Sequence, residues 1–179
     1  MEKIHSRDIR NVCLLGHGAS GKTSLAEAML YLTKATDRLG KPTDGNTVCD
    51  YDPEEVKRGF SLSASIAPVT YKGTKINIID TPGYLDFIGE AVQALRVAGS
   101  ALIVVDGKAG VEVGTELAWD MVCEAKMPRA FFINNATTPR RDSSGYSDRC
   151  TKCSGSPCAP SSFPLWKGTR LWDCLTSSR

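Results

Sequence analysis

Along the first 134 positions the apolar residues fall into short runs whose period alternates between that of a strand and that of a helix. Ile9–Leu15 is an apolar-rich run that stops at glycine, which predicts a buried strand. Gly21–Leu32 places Leu25, Ala28, Met29 and Leu32 at helical spacing. Ser63–Tyr71 and Lys75–Asp80 flank Lys72-Gly73 and predict a hairpin. Asp86–Val97 predicts a helix, Ala101–Val105 a strand, Val113–Ala125 a helix and Ala130–Asn134 a strand. Residues 35–60 are polar and rich in Gly, Pro and Asp; they predict a long loop, which in a compact domain is usually functional. Mostly alternating strands and helices imply an α/β layered sheet with crossover helices on both faces. The strands are short and rarely alternate, as expected when both faces are covered.

Periodicity ends at Asn134. Residues 135–179 hold nine serines, four prolines and four cysteines without a recurring apolar face. Such a composition buries too little surface to offset ordering entropy, so 135–179 reads as a poorly ordered tail after a domain spanning 1–134. Charge divides at the same point: residues 1–134 carry 15 basic and 17 acidic side chains, net −2, and residues 135–179 carry 7 and 3, net +4. The overall formal charge of +2 gives no general argument for a nucleic-acid or membrane partner. The polar start lacks the apolar stretch of a signal peptide, and no apolar run is long enough to span a bilayer, so a cytoplasmic location is expected. Seven cysteines, an odd number, do not suggest a disulfide framework.

The chemistry-bearing segment is Gly16-His17-Gly18-Ala19-Ser20-Gly21-Lys22-Thr23, which fits G-x-x-x-x-G-K-[ST] without mismatch between a predicted strand and a predicted helix. Glycines let the backbone curl so that successive N–H groups point at an anion, and the following helix, with Ser24 in its first turn, aims its positive end at the same place. Lys22 would bridge the β- and γ-phosphates, and the Thr23 hydroxyl would ligate Mg²⁺. A second segment, Lys75-Ile-Asn-Ile-Ile-Asp80-Thr81-Pro82-Gly83, is a strand ending in a carboxylate and a turn. Asp80 can reach the Mg²⁺ shell, and Gly83 can bring a backbone N–H to the γ-phosphate without a Cβ in the way. A turn that contacts only the γ-phosphate loses its anchor on hydrolysis, the basis of a switch.

Three stretches, Gly16 to Leu25, Asp80-Thr-Pro-Gly-Tyr-Leu-Asp-Phe87 and Gly110-Val-Glu-Val-Gly-Thr-Glu116, together resemble bacterial elongation factor G and its elongation factor G-like paralogues. The resemblance runs over residues 8 to 134. It implies a P-loop NTPase of the Ras-like G-domain type, α/β with a mixed, mostly parallel sheet and C-terminally truncated, that binds GTP or GDP with Mg²⁺ and hydrolyses GTP. The partners it implies are a guanine nucleotide and, for full-length members, the ribosome, with no membrane and no direct DNA contact. Tyr51 to Ser61 resembles the first switch; the family usually has Arg-Gly-Ile-Thr there, and Ser61 keeps the hydroxyl that would complete the Mg²⁺ shell.

Two departures stand out. Tyr84 occupies the position where the family usually has the histidine that orients the attacking water, and a tyrosine carries no positive charge near neutral pH. Tyr84 and Lys22 are thus the candidate catalytic residues, and binding is better founded than fast hydrolysis. The guanine-reading motif, Asn-Lys-x-Asp, here reads Asn134-Asn135-Ala136-Thr137, which keeps the asparagine and loses the lysine and the aspartate. Losing a matched hydrogen-bond acceptor forfeits on the order of 10⁴ in discrimination. Read one base earlier, permitted codons for residues 154–174 can encode a segment similar to the one that follows this motif in elongation factor G, so the tail is expected to be out-of-frame translation. The rival reading is a zinc module on Cys150, Cys153, Cys158 and Cys174. Rival functions for the whole chain are nucleotide binding without turnover and a non-functional truncated product.

Overall fold

The structure is a computed structural model and describes residues 4–135. The expectations placed on the tail, the four-cysteine zinc set and the out-of-frame segment, lie outside these residues. Five strands form one sheet: β1 (Ile9–Leu15), β2 (Ser65–Tyr71), β3 (Thr74–Asp80), β4 (Ser100–Asp106) and β5 (Arg129–Asn134), in the order β2-β3-β1-β4-β5. The β2–β3 pair is antiparallel and the other three pairs are parallel, giving the expected mixed, mostly parallel α/β sheet. The helices are α1 (Lys22–Leu32), α2 (Pro53–Arg58), α3 (Ile88–Val97) and α4 (Val113–Glu124). Lys72 (φ 47°) and Gly73 (φ 77°) turn β2 into β3. Two successive positive φ values match the twist of a two-residue hairpin.

The sheet is covered on both faces. Cys13 and Leu15 of β1, Ile79 of β3 and Ala101, Ile103 and Val105 of β4 pack with Ala91 and Ala94 of α3 and Ala118 and Val122 of α4. Strand alternation sends Val12, Leu14, Leu102 and Val104 to the other face, and α1 packs against β2 and β3. The central strands are therefore apolar and buried on both faces, as expected, over residues 12–15, 78–79 and 101–105, with polar Arg10, Asn11 and Asn77 toward the amino ends of β1 and β3. Edge strand β2 departs from that expectation: its buried Ala67 and Val69 alternate with exposed Ile66, Pro68 and Thr70. One face of an edge strand in an antiparallel pair can meet solvent, and the missing N–H of Pro68 is tolerated at an edge.

The long loop expected over 35–60 contains a helix. Asp52-Pro53-Glu54-Glu55 starts α2 with a capping box: Glu54 N donates to Asp52 Oδ1 at 2.8 Å, and Asp52 N donates to Glu55 Oε2 at 3.3 Å. Proline fits the first helical position, and Gly59 at φ 72° ends the helix in a left-handed cap. The signal was present as D-x-x-E with proline at the first turn; a six-residue helix is too short to show an apolar period.

Parallel pairing brings every strand end that matters to one edge. Leu14 of β1 pairs with Asp80 of β3, Leu15 with Ile103 of β4, and Asp106 with Asn134 of β5. From β1 the chain continues to β3 on one side and later to β4 on the other, so the carboxyl ends of these strands open at the point where strand order reverses. That crevice is where open α/β sheets place ligands.

Candidate functional site

The loop from Gly16 to Gly21 joins β1 to α1 in this crevice. Gly16 (φ 138°) lies against the Val104 carbonyl of β4, and a Cβ there would overlap it. Gly21 (φ 93°) faces the Asn134 amide in the same way, and Ala19 also has positive φ (60°). The loop needs these conformations to turn its N–H groups inward, so glycine is required at both ends. Ser20 is buried with its hydroxyl unpartnered, whereas Ser24 stands exposed in the first turn of α1.

Lys22 is 5% exposed and folds back over the loop, its Nζ donating to the carbonyls of Gly16 at 3.1 Å and His17 at 2.7 Å. Burial pushes its pKa down to about 8, opposed by the charge of Asp80. Gly83 passes so close that a Cβ there would meet Lys22 Nζ, Gly18 N and the His17 carbonyl. The Asp80–Gly83 turn and the phosphate loop therefore share one small space around the lysine ammonium. Thr81, fully buried, fixes the turn by donating from its hydroxyl to the Leu14 carbonyl at 2.6 Å.

Thr23 Oγ1 donates to Asp80 Oδ2 at 2.6 Å and lies 3.2 Å from Ser61 Oγ, which in turn donates to Asp50 Oδ1 at 2.6 Å. Thr23, Ser61 and Asp80, the three residues proposed from sequence for Mg²⁺, are thus together. Asp80 is 1% exposed and its second oxygen, Oδ1, is buried without a hydrogen-bond partner. Burial pushes the Asp80 carboxyl up to about 7 against the opposing hydrogen bond from Thr23 and the charge of Lys22. Asp50 is also raised, chiefly by burial. A carboxylate with one unpartnered oxygen, bonded through the other to the Thr23 hydroxyl with Ser61 Oγ 3.2 Å beyond, is a hard-oxygen donor set that fits Mg²⁺. That ion takes one or two carboxylates and fills its shell with phosphate and water. Among the described residues no group of three or more His, Cys, Asp or Glu could hold a metal ion.

Tyr84 lies over Gly18, whose hypothetical Cβ would sit 3.1–3.3 Å from the tyrosine ring, and its ring stacks at a tilt on Phe60, centroids 4.6 Å apart. His17 points away from the lysine: its Nδ1 accepts from Gly114 N at 3.3 Å, and its Nε2 lies 3.6 Å from Glu112 Oε1. The Gly110–Glu116 segment thus buttresses the phosphate loop from the α4 side. Asn134, expected at the base-reading end, donates from Nδ2 to the Ser20 carbonyl at 3.0 Å and so ties β5 to the loop. Asn135 next to it has φ 55°, and its amide donates to Asp106 Oδ1 at 3.2 Å.

Sequence reasoning missed Asp50 and Glu27. Asp50 sits in a polar stretch where nothing separates it from a solvated charge, and only the fold carries it to Ser61. Glu27 lies on α1 among apolar residues, and an acidic residue on the buried face of a predicted helix was the available signal.

A family model, the Elongation factor Tu GTP binding domain, matches residues 7–148. An elongation factor G-like protein of Mycobacterium tuberculosis is 42% identical over 125 residues, covering 70% of this chain and 18% of that protein. A mitochondrial ribosome-releasing factor 2 from Drosophila grimshawi is 38% identical over 139 residues, 78% of this chain and 19% of the relative. The chain thus spans less than a fifth of the length of these curated relatives. Among solved structures, a Thermus thermophilus protein superposes with a TM-score of 0.77 at 38% identity, over 80% of this chain and 22% of that one. Translation elongation factor SelB of Methanococcus maripaludis, solved with the GTP analogue GPPNHP, shares the fold alone, with a TM-score of 0.60 at 20% identity over 81% of this chain and 26% of that one. With the phosphate loop, the Asp80–Gly83 turn and the mixed sheet in place, this chain belongs to the elongation factor Tu-type GTP-binding domain family of translational GTPases.

Proposed function

We propose that the chain binds a guanine nucleotide together with Mg²⁺ and hydrolyses GTP, as the nucleotide-binding part of an elongation factor G-like translation factor that works on the ribosome in the cytoplasm. The observation that carries this reading is the junction of Thr23 and Asp80, in which Asp80 Oδ1 has no hydrogen-bond partner and the Ser61 hydroxyl lies 3.2 Å from Thr23 Oγ1. A buried unpartnered carboxylate oxygen is costly unless something of opposite charge completes it. Bound there, Mg²⁺ would offset negative charge on the phosphates. Thr23, Ser61 and Asp80 would hold it.

The chain's own groups divide the remaining work. Lys22 is desolvated and aimed across the loop mouth, so its ammonium exchanges two carbonyls for phosphate oxygens of higher charge. The loop amides from Gly16 to Thr23 and the dipole of α1 position the anion. Gly83 brings its N–H to the same space, and Tyr84 offers a hydroxyl to orient a water.

Nucleotide binding without turnover is the second reading, favoured by Tyr84. Packed between Gly18 and Phe60, it offers no cation where the family usually has histidine. Guanine preference rests on family membership, since Asn135-Ala136-Thr137 replaces the usual Lys-x-Asp. Fluorescent GTP and ATP titrations with and without Mg²⁺, followed by phosphate release, separate the readings. Binding with release supports GTP hydrolysis, binding without release supports the second reading, and a folded chain that binds neither nucleotide refutes both.

A further inference from the structure

Glu27 is a buried carboxylate that the phosphate chemistry does not use. It lies four residues after Thr23 on α1, which puts the two side chains on one helical face. It is fully buried. Its Oε1 accepts from Val48 N at 2.6 Å and from Cys49 N at 3.1 Å, while Oε2 has no hydrogen-bond partner and packs against Gly40. Both donors precede Asp50 directly. Asp50 Oδ1 accepts from Ser61 Oγ at 2.6 Å, and Ser61 Oγ lies 3.2 Å from Thr23 Oγ1. The connections close a circuit from Thr23 through Ser61, Asp50 and the Val48–Cys49 backbone to Glu27, then back along one turn of α1.

We infer that Glu27 is the positioning residue for the Mg²⁺-facing hydroxyls: by gripping the Val48 and Cys49 amides it sets where Asp50 stands, and Asp50 sets the Ser61 hydroxyl beside Thr23 and Asp80. The inference rests on the Mg²⁺–nucleotide reading above. The Val48 side chain is itself exposed, so at that residue the grip is through the backbone rather than through apolar burial. The next stretch is held separately. Glu55 Oε1 accepts from Leu62 N at 2.8 Å and Ser63 N at 3.0 Å, and Glu90 Oε2 accepts from Ala64 N at 2.8 Å. Removing Glu27 therefore frees the 47–50 segment and leaves the entry to β2 fastened.

The test compares the full chain with Glu27→Ala, Glu27→Gln and Gly40→Ala. A Cβ at Gly40 would overlap Glu27 Oε2 and sit 2.9 Å from Glu27 Cδ and Thr47 Cα, so this last variant displaces an intact glutamate. Dissociation constants for fluorescent GDP are measured in excess Mg²⁺ and in EDTA, alongside circular-dichroism melting. Glu27→Ala and Gly40→Ala are expected to lose on the order of tenfold of the Mg²⁺-dependent gain in affinity, the size expected for two backbone hydrogen bonds, with affinity in EDTA little changed. Glu27→Gln, which keeps an acceptor oxygen, restores the gain. An unchanged Mg²⁺ gain in Glu27→Ala overturns the inference, as does an equal loss with and without Mg²⁺, which marks a merely structural residue. If the unaltered chain shows no Mg²⁺ gain, the functional reading itself fails, and tryptic cleavage after exposed Arg38, whose guanidinium donates to the Asn46 carbonyl at 3.1 Å, decides the anchor: faster cleavage in Glu27→Ala than in Glu27→Gln upholds the grip, and equal rates overturn it.

Discussion

The Thr23 hydroxyl donates to Asp80 Oδ2 at 2.6 Å, joining the first turn of α1 to the carboxyl end of β3. These residues come from the two motifs of the site, 57 positions apart, and the bond uses one oxygen of a carboxylate whose other oxygen has no partner. Replacing Asp80 with asparagine keeps an oxygen acceptor for Thr23 and removes the buried charge. Asp80→Asn is expected to melt close to the unaltered chain, because relief of the carboxylate's burial is offset by loss of the charge that opposes the burial of Lys22. Its Mg²⁺-dependent nucleotide affinity should fall by roughly 100-fold, the penalty for losing a charge-assisted contact. Calorimetric melting and nucleotide titration on one sample check both halves.

The same carboxyl sets a pH dependence. Burial raises Asp80 in the folded chain to about 7 from an ordinary 3.8, so between these values the folded chain binds more protons than the unfolded one. For the ligand-free chain, the contribution of this group to stability is therefore fully present below pH 3.8 and is lost as pH rises through about 7. A cation at Asp80 favours the ionised form and must displace the proton. Mg²⁺ affinity is therefore expected to weaken about tenfold per pH unit below 7 and to level off above it. Mg²⁺ titrations in the presence of GDP at pH 5.5, 6.5 and 7.5, roughly bracketing the transition, measure this, and a flat profile contradicts it.

Tyr84 leads to a prediction about rate. Its ring fills the space between Gly18 and Phe60 and is 42% exposed. Histidine is smaller, fits the same space, and its imidazole presents both a hydrogen-bond donor and an acceptor that can orient a water and exchange a proton with it. Tyr84→His is expected to speed phosphate release from bound GTP by on the order of 10²-fold, the lower end of what a positioned acid–base group supplies. Nucleotide affinity should stay the same. Single-turnover phosphate release measures it, and an unchanged rate shows that Tyr84 does not limit turnover.

Much of this site was legible in the sequence because its parts are local. The phosphate loop must be glycine-rich at fixed spacing, and the strands on either side are apolar enough to show their period. Asp80 was legible because it follows an apolar strand at a turn. The roles of Asp50 and Glu27 were not, since they depend on contacts 11 and more than 20 residues away, across a stretch with no apolar period. Helix α2 was missed for the related reason that its evidence lay in a capping box and not in a repeating face. Asn134 was recognised as part of the site, but its bond to the Ser20 carbonyl required the parallel register of β4 and β5 to bring it to the loop.

The central claim is that Lys22, Thr23, Ser61 and Asp80 form a receptor for a nucleotide with Mg²⁺. Its most direct test is the titration of a fluorescent GTP with the full chain in excess Mg²⁺ and again in EDTA, on protein shown to be folded by circular dichroism. The account predicts saturable binding that unlabelled GTP and GDP displace, and that weakens by at least roughly tenfold when Mg²⁺ is removed. A folded chain that binds no nucleotide, or binds equally well with and without Mg²⁺, contradicts it.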